Sequence, residues 1–206
     1  KDTIHIATKP MTEEFIIGEM LKQLIEDRTD LSVEITKGVG GGTSNIHPAM
    51  VKGDFDMYPE YTGTSWSFVL KKKEIPEHDI LYKELVREYK QQYHLEWTGL
   101  YGFNNTYGIA VTKETAQRYH LKTYADLASV SSRMSFGAEY DYYERDDGYD
   151  AMVKANDFHF KKSIDLDIGL KYDALLKKEV DAILVFTTDG RISDPDIVVL
   201  QDENNY

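Results

Sequence analysis

Between Asp54 and Thr64 the chain reads Asp-Phe-Asp-Met-Tyr-Pro-Glu-Tyr-Thr-Gly-Thr. A strand-like run from Phe55 to Tyr58 stops at Pro59. The turn beyond it carries Glu60, Tyr61, Thr62 and Thr64, then Trp66 and Phe68, with no basic residue before Lys71. Two tyrosines, a carboxylate and hydroxyls at a strand end are chemistry for a cation. Tyrosine faces suit one that donates no hydrogen bonds, such as a quaternary ammonium. In an open α/β sheet the carboxyl ends of the strands are where ligands sit. The same spacing also suits two tyrosines that fill a core.

Three other stretches bear on chemistry. The run Gly38-Val39-Gly40-Gly41-Gly42-Thr43-Ser44 opens a helix and is able to hold an anion on backbone N–H groups. It lacks the last glycine of a dinucleotide fingerprint and the lysine of a P-loop, so a carboxylate suits it better than a nucleotide. A plain capped turn is the alternative. Lys9, after the first strand, would face the same place and add a positive charge. The run Glu139 to Tyr149 is rich in tyrosine and carboxylate but lacks calcium-loop spacing. No histidine pair stands at zinc spacing, and there is no Gly-x-Ser-x-Gly elbow. Glu60 and Asp141 as an acid–base pair would rest on assertion, whereas the aromatic residues beside Arg145 read as ligand walls.

The elements that must position these groups follow from periodicity. Thr3 to Thr8 and Leu31 to Ile35 alternate as strands, and the opening stretch supplies a third. Between the first two, Thr12 reads as the cap of a helix with Glu13 and Glu14 in its first turn and Ile17, Met20, Leu21, Leu24 and Ile25 as a core stripe. The glycine run starts the next helix, and the β-α-β-α-β order implies parallel strands with crossover helices. A longer helix spans Glu77 to Tyr93, with Leu81, Leu85, Val86 and Tyr89 inward. Asn105-Thr106-Tyr107 then leads into a strand that opens a second α/β series. Its helices are placed near Lys113, Tyr124 to Ser129, Gly148 to Asn156 and Leu170 to Lys177. Its strands are placed at Met134 to Gly137, Asp181 to Phe186 and Ile197 to Leu200. Lys52 to Tyr58 and Lys178 to Phe186 echo each other: each ends a helix, turns, and enters a strand with an aromatic end.

Composition narrows the classes. The 206 residues carry a net charge of −12, 41% hydrophobic residues, fifteen tyrosines and no cysteine. The acidic balance argues against nucleic acid and anionic membrane surfaces and mildly favours cationic solutes. No apolar run approaches the roughly 18 residues of a membrane helix, and disulfides, thiolate zinc sites and cysteine nucleophiles are excluded. The first residues already read as a strand, so a mature, trimmed or excised chain is expected rather than one with a signal peptide.

Met11-Thr12-Glu13, the glycine run, Tyr58-Pro59-Glu60-Tyr61-Thr62-Gly63-Thr64, Asn105-Thr106-Tyr107 and Thr188-Asp189-Gly190-Arg191 occur in this order. Together they resemble the substrate-binding domains of ABC importers for glycine betaine, carnitine and choline, over essentially the whole chain. The resemblance implies a two-lobed periplasmic-binding-protein-like α/β fold of type II, closing on a quaternary ammonium in an aromatic cage. Lobe 1 is expected at 1–105, lobe 2 at 106–195, and a return toward lobe 1 at 196–206. In such families the chain continues past Tyr206 with a further cage residue and helices that complete lobe 1.

By this resemblance Tyr61 and Tyr107 are cage residues and Thr64 a polar specificity position. The candidate ligand-binding set in lobe 1 is Lys9, Met11, Thr12, Gly41, Gly42, Thr43, Glu60, Tyr61 and Thr64. In lobe 2 it is Tyr107, Tyr140, Asp141, Arg145, Phe186 and Thr187. Two positions depart from the betaine pattern: Lys9 stands where glutamine is usual, and Phe186 where a cage tyrosine is. Lys9 suggests a ligand with a carboxylate. The Lys9-Pro10 and Tyr-Pro-Glu-Tyr-Thr-Gly forms look closer to members fused to their permease, some of which resemble ergothioneine importers. Ergothioneine therefore ranks above glycine betaine, choline or carnitine, with the Tyr140 to Arg145 loop as extra wall. The expectation is a non-enzymatic, extracytoplasmic, membrane-tethered binding module with a permease partner, no cofactor, no metal and no nucleic acid. An effector-sensing module of a regulator and a carboxylate-based hydrolase are the alternatives.

Overall fold

A computed structural model describes residues 2–203. The chain divides into two compact units, Lys1–Phe103 and Asn104–Tyr206, both of mixed α/β structure.

In unit 1, β1 (Thr3–Ala7) pairs in parallel with β2 (Ser32–Thr36), from Thr3 opposite Ser32 to Ala7 opposite Thr36. The crossover between them is α1 (Thr12–Arg28). Met11, with extended backbone, occupies the cap position and Thr12 is the first helical residue, one place later than the cap read from sequence. The apolar stripe read on α1 does not hold as core. Ile17 is buried, yet Met20 is 65% and Leu24 54% exposed. The buried face is instead Glu13, Glu14, Ile17 and Gly18. A side chain at Gly18 would come within 2.7 Å of the Thr8 methyl, so the helix lies on β1 and β2 through its smallest residue.

The third strand expected at Phe55 to Tyr58 reduces to one parallel bridge, Ile6 to Met57. The reason is local. The Asp56 carboxylate accepts the His5 N–H at 2.7 Å, taking a donor the ladder would use. Pro59 has no N–H with which to continue the pairing. Two helices flank this segment. The first is α2 (Thr43–Lys52), closed by Gly53 in the left-handed region; the second is α3 (Thr62–Thr64), which runs on as a π-helical turn over Ser65–Val69. Leu81, Leu85 and Tyr89 of α4 (His78–Tyr93) pack with Trp66 to form the aromatic core of the unit. Val86, expected inward, is half-buried.

Unit 2 is built on a five-stranded sheet in the order β5-β4-β6-β3-β7. Its strands are β3 (Tyr107–Thr112), β4 (Ser135–Ala138), β5 (Lys162–Asp165), β6 (Ala182–Phe186) and β7 (Ile197–Val199). β4 runs parallel to β5 and β6, whereas β3 is antiparallel to β6 and β7. Sequence reading missed β5. It is an edge strand of mostly exposed polar residues with one half-buried apolar side chain, Ile164, so it has no alternation to see. Helices α5 (Lys113–Tyr119), α6 (Tyr124–Val130), α7 (Tyr140–Glu144), α8 (Tyr149–Asn156) and α9 (Lys171–Leu176) connect the strands. The α6 start is a capping box of Thr123 and Asp126. One core cluster gathers Ile109, Val111, Phe136 and Leu184, and the other Ala110, Ile183 and Val185, as strand alternation requires.

Candidate functional site

In unit 1 the residues after β1, at the start of α2 and around Pro59 converge. Lys9 is buried, and its Nζ donates to Glu60 Oε1 at 2.6 Å. The other oxygen, Oε2, accepts from Thr43 Oγ1 at 2.8 Å, and Oε1 also accepts the Tyr61 N–H at 2.8 Å. Lys9 Nζ stands 4.9 Å from the centre of the Tyr61 ring. The Tyr61 hydroxyl donates to Glu13 Oε2. Glu60 thus ties three parts of the chain to one carboxylate, and Lys9 neutralises it.

Beside this pair lies Glu14, fully buried, whose Oε2 accepts the Lys9 backbone N–H at 3.4 Å. Its Oε1 has no hydrogen-bond partner among the described residues. Burial pushes the Glu14 carboxyl up to about 8; Lys9 pulls it down, while Glu60 and Glu13 push it further up. Glu14 was read only as a helix-dipole residue. Its position opposite Lys9 depends on how α1 lies on β1, which no local pattern encodes.

The glycine run is shaped by backbone need. Gly41 and Gly42 have φ of +77° and +59°, and a side chain on Gly41 would strike the Asn45 amide at 2.4 Å. The Gly42 N–H is bonded to Val39 O, so it is not offered to an anion. Thr43 is buried by its bond to Glu60. Met11 is buried at the start of α1, Thr12 half-buried, and Thr64 buried at the end of α3.

In unit 2 the ends of β3 and β6 come together. Tyr107 and Phe186 are register partners, their rings 5.7 Å apart, and Tyr107 also meets the Tyr142 ring at 4.9 Å. Arg145 is buried. It grips Asp147 with two bonds of 2.7 Å and donates from Nη1 to the Tyr107 hydroxyl at 3.1 Å. Burial pushes the Tyr107 phenol above its ordinary pKa, so it is neutral. The α7–α8 turn that aims Arg145 needs Gly148, because a side chain there would overlap Tyr142 O at 2.0 Å.

Of the remaining candidates of this unit, Asp141 lies near enough to Tyr107 for its charge to help raise the phenol. Asp141 is buried, Tyr140 is 48% exposed, and the exposed Thr187 bonds back to Thr106. Sequence reading left out Lys171 and Glu139. Lys171 Nζ donates to Glu139 Oε2 at 2.8 Å and stands 4.5 Å from the centre of the Phe186 ring. A recurring triplet results: Tyr61 with Lys9 and Glu60, Tyr107 with Arg145 and Asp147, and Phe186 with Lys171 and Glu139.

Comparison with known proteins gives a consistent picture. A family profile described as the substrate binding domain of ABC-type glycine betaine transport systems matches residues 2–206. The ergothioneine transport permease/ergothioneine binding protein EgtU of Helicobacter pylori is 42% identical over 98% of this chain, which spans 36% of that protein. The carnitine transport binding protein OpuCC of Listeria monocytogenes is 36% identical over the whole chain, which spans 67% of it. A solved glycine betaine/carnitine/choline ABC transporter structure aligns with a TM-score of 0.62 at 34% identity, covering 98% of this chain and 74% of that one. An ancestral arginine-binding protein bound to arginine, at 16% identity and a TM-score of 0.58, shares the fold over 97% of this chain and 79% of its own.

Proposed function

Because the chain belongs to the substrate-binding domains of ABC-type glycine betaine transport systems, we propose that it captures a quaternary-ammonium betaine and delivers it to an importer permease. It is a transport binding domain and not an enzyme, as its relatives are. The ligand we assign is ergothioneine, ahead of carnitine, glycine betaine and choline. The permease is the partner, either in the same polypeptide or separate, and the domain works outside the cytoplasm, held at the membrane.

The observation that carries this reading is the pairing of Tyr107 with Phe186 at the ends of adjacent strands, with Tyr142 against Tyr107. Aromatic faces grouped at strand ends are what a cation without N–H donors requires, since it is held by ring quadrupoles and not by hydrogen bonds. The cations already beside Tyr61, Tyr107 and Phe186 support the same reading, because each ring stands where positive charge is stabilised. The carboxylates of unit 1, Glu13 and Glu60, suit the N–H-bearing ring of ergothioneine better than the bare methylene of glycine betaine.

Calorimetric titration with ergothioneine, carnitine, glycine betaine and choline tests the assignment. Ergothioneine is expected to bind most tightly. Tighter binding of another of the four would move the ligand within the family, and no binding of any would overturn the betaine reading.

A further inference from the structure

His47 ties α2 to α4. It stands one turn after Thr43, on the same face of the helix. Its ring centre lies 4.5 Å from that of Tyr93 and 5.5 Å from that of Tyr89, edge-on to both. The two tyrosine rings of α4 are themselves edge-on at 5.4 Å, so the three rings close a cluster. Local preference does not hold His47 there. Pro48 follows it inside α2; proline has no N–H to give the preceding turn, and it disfavours the helical conformation in the residue before it. The ring contacts supply what the backbone lacks at this point of the helix.

The cluster lies beside Glu60. Burial, and after it the Glu60 charge, raises the Tyr89 phenol. Burial is also the larger effect on His47 and lowers its pKa, while the Glu60 charge pulls it back. The groups that face His47 are therefore Tyr89 and Tyr93, phenols raised by burial, and Glu60, which is paired with Lys9 and bonded by Thr43. Histidine is the side chain whose ordinary pKa places its charge change between about pH 5 and 8. Glu14 titrates in the same region of the unit but on the alkaline side, at about 8, so it supplies no acid limb. Charging His47 sets a cation in the ring cluster with Glu60 as the anion that acts on it.

We infer that His47 is a positioning residue for the Thr43–Glu60–Lys9 bonds: neutral, it fixes α2 against α4, and protonated, it competes with Lys9 and Thr43 for Glu60, so that acid weakens ligand binding. This rests on the betaine reading above in one respect, that Lys9, Thr43 and Glu60 belong to the ligand site. It adds a pH dependence that the aromatic faces by themselves would not give, since a tyrosine ring holds a quaternary ammonium equally across this range.

The test titrates ergothioneine by calorimetry at about pH 7 and about pH 5, the range in which histidine changes charge. The proteins are the wild type and His47→Phe, which keeps a ring and cannot charge, each verified as folded at both values by circular dichroism. The wild type is expected to weaken about tenfold on acidification, the effect of one pKa unit between free and bound protein, and His47→Phe by less than about threefold. The NMR chemical shifts of Thr43 and Lys9 are expected to follow the titration of the His47 ring in the wild type. A His47→Phe variant that keeps the wild-type loss overturns the inference, as does a wild type whose affinity is flat across the range. A wild type that unfolds at the acid value overturns it too, because His47 would then hold the fold and not the bonds to Glu60. If His47→Phe does not fold, His47→Asn takes its place with the same expectation. If none of the four betaines binds, the ligand reading fails and the shifts decide: Thr43 and Lys9 signals that ignore the His47 titration overturn the inference.

Discussion

Lys9 and Glu60 form an ion pair at 2.6 Å with side chains only 6% and 5% exposed. Two charges taken out of water hold together because each neutralises the other and because Glu60 also receives Thr43 Oγ1 and the Tyr61 N–H. Lys9 is thereby the residue that makes Glu60 tolerable inside unit 1, and Glu60 is the hub that joins the β1 turn, α2 and the segment leading to α3.

Lys9→Met is expected to destabilise the protein by about 3–5 kcal/mol, the usual cost of leaving one member of a buried pair alone. Lys9→Met/Glu60→Gln is expected to recover much of that, because no uncompensated charge remains. Chemical denaturation of wild type, single and double variants checks this. A double variant as unstable as the single one would show that the charge balance is not what Lys9 contributes.

Tyr61 separates ring from hydroxyl. Its ring faces Lys9 Nζ, while its hydroxyl donates to Glu13. Tyr61→Phe should keep ergothioneine affinity within about threefold, and Tyr61→Ala should lose about tenfold, since a cation–π contact contributes about 0.5–2 kcal/mol. Calorimetry on both variants decides. Equal losses would place the role in the hydroxyl, and no loss in either would remove Tyr61 from the site.

Glu14 makes stability depend on pH. Its pKa is raised from 4.5 to about 8 in the folded state by burial, so between those values the folded protein keeps a proton that the unfolded chain has released. Where the folded state binds more protons, stability falls as pH rises, here through that window. Glu14→Gln should flatten this slope and be more stable than the wild type above about pH 8. Denaturation midpoints of the two proteins across the window measure it. Parallel slopes would mean that Glu14 is ionised in the folded protein.

The alternation of Thr3 to Thr8, the turn chemistry of the glycine run and the strand-end aromatics were legible because each is a local demand of the backbone. Gly41 and Gly42 read correctly as a special turn for the same reason, their positive φ. The echo of the two aromatic strand ends was legible only in part. Phe186 does end a strand, β6, but Tyr58 follows a single bridge, because the Asp56 side chain took the His5 N–H. Helical periodicity on α1 misled. Spacing identifies which residues share a face, yet the close approach allowed by Gly18 decided which face met the sheet, and Met20 and Leu24 were left outside.

Charge partners lay beyond sequence altogether. Lys9 meets Glu60 across 51 positions and Lys171 meets Glu139 across 32. An isolated lysine in a sequence looks like any solvated one. Its burial and its partner arise only when distant segments pack, because desolvation is a property of the assembled interior and not of the residue.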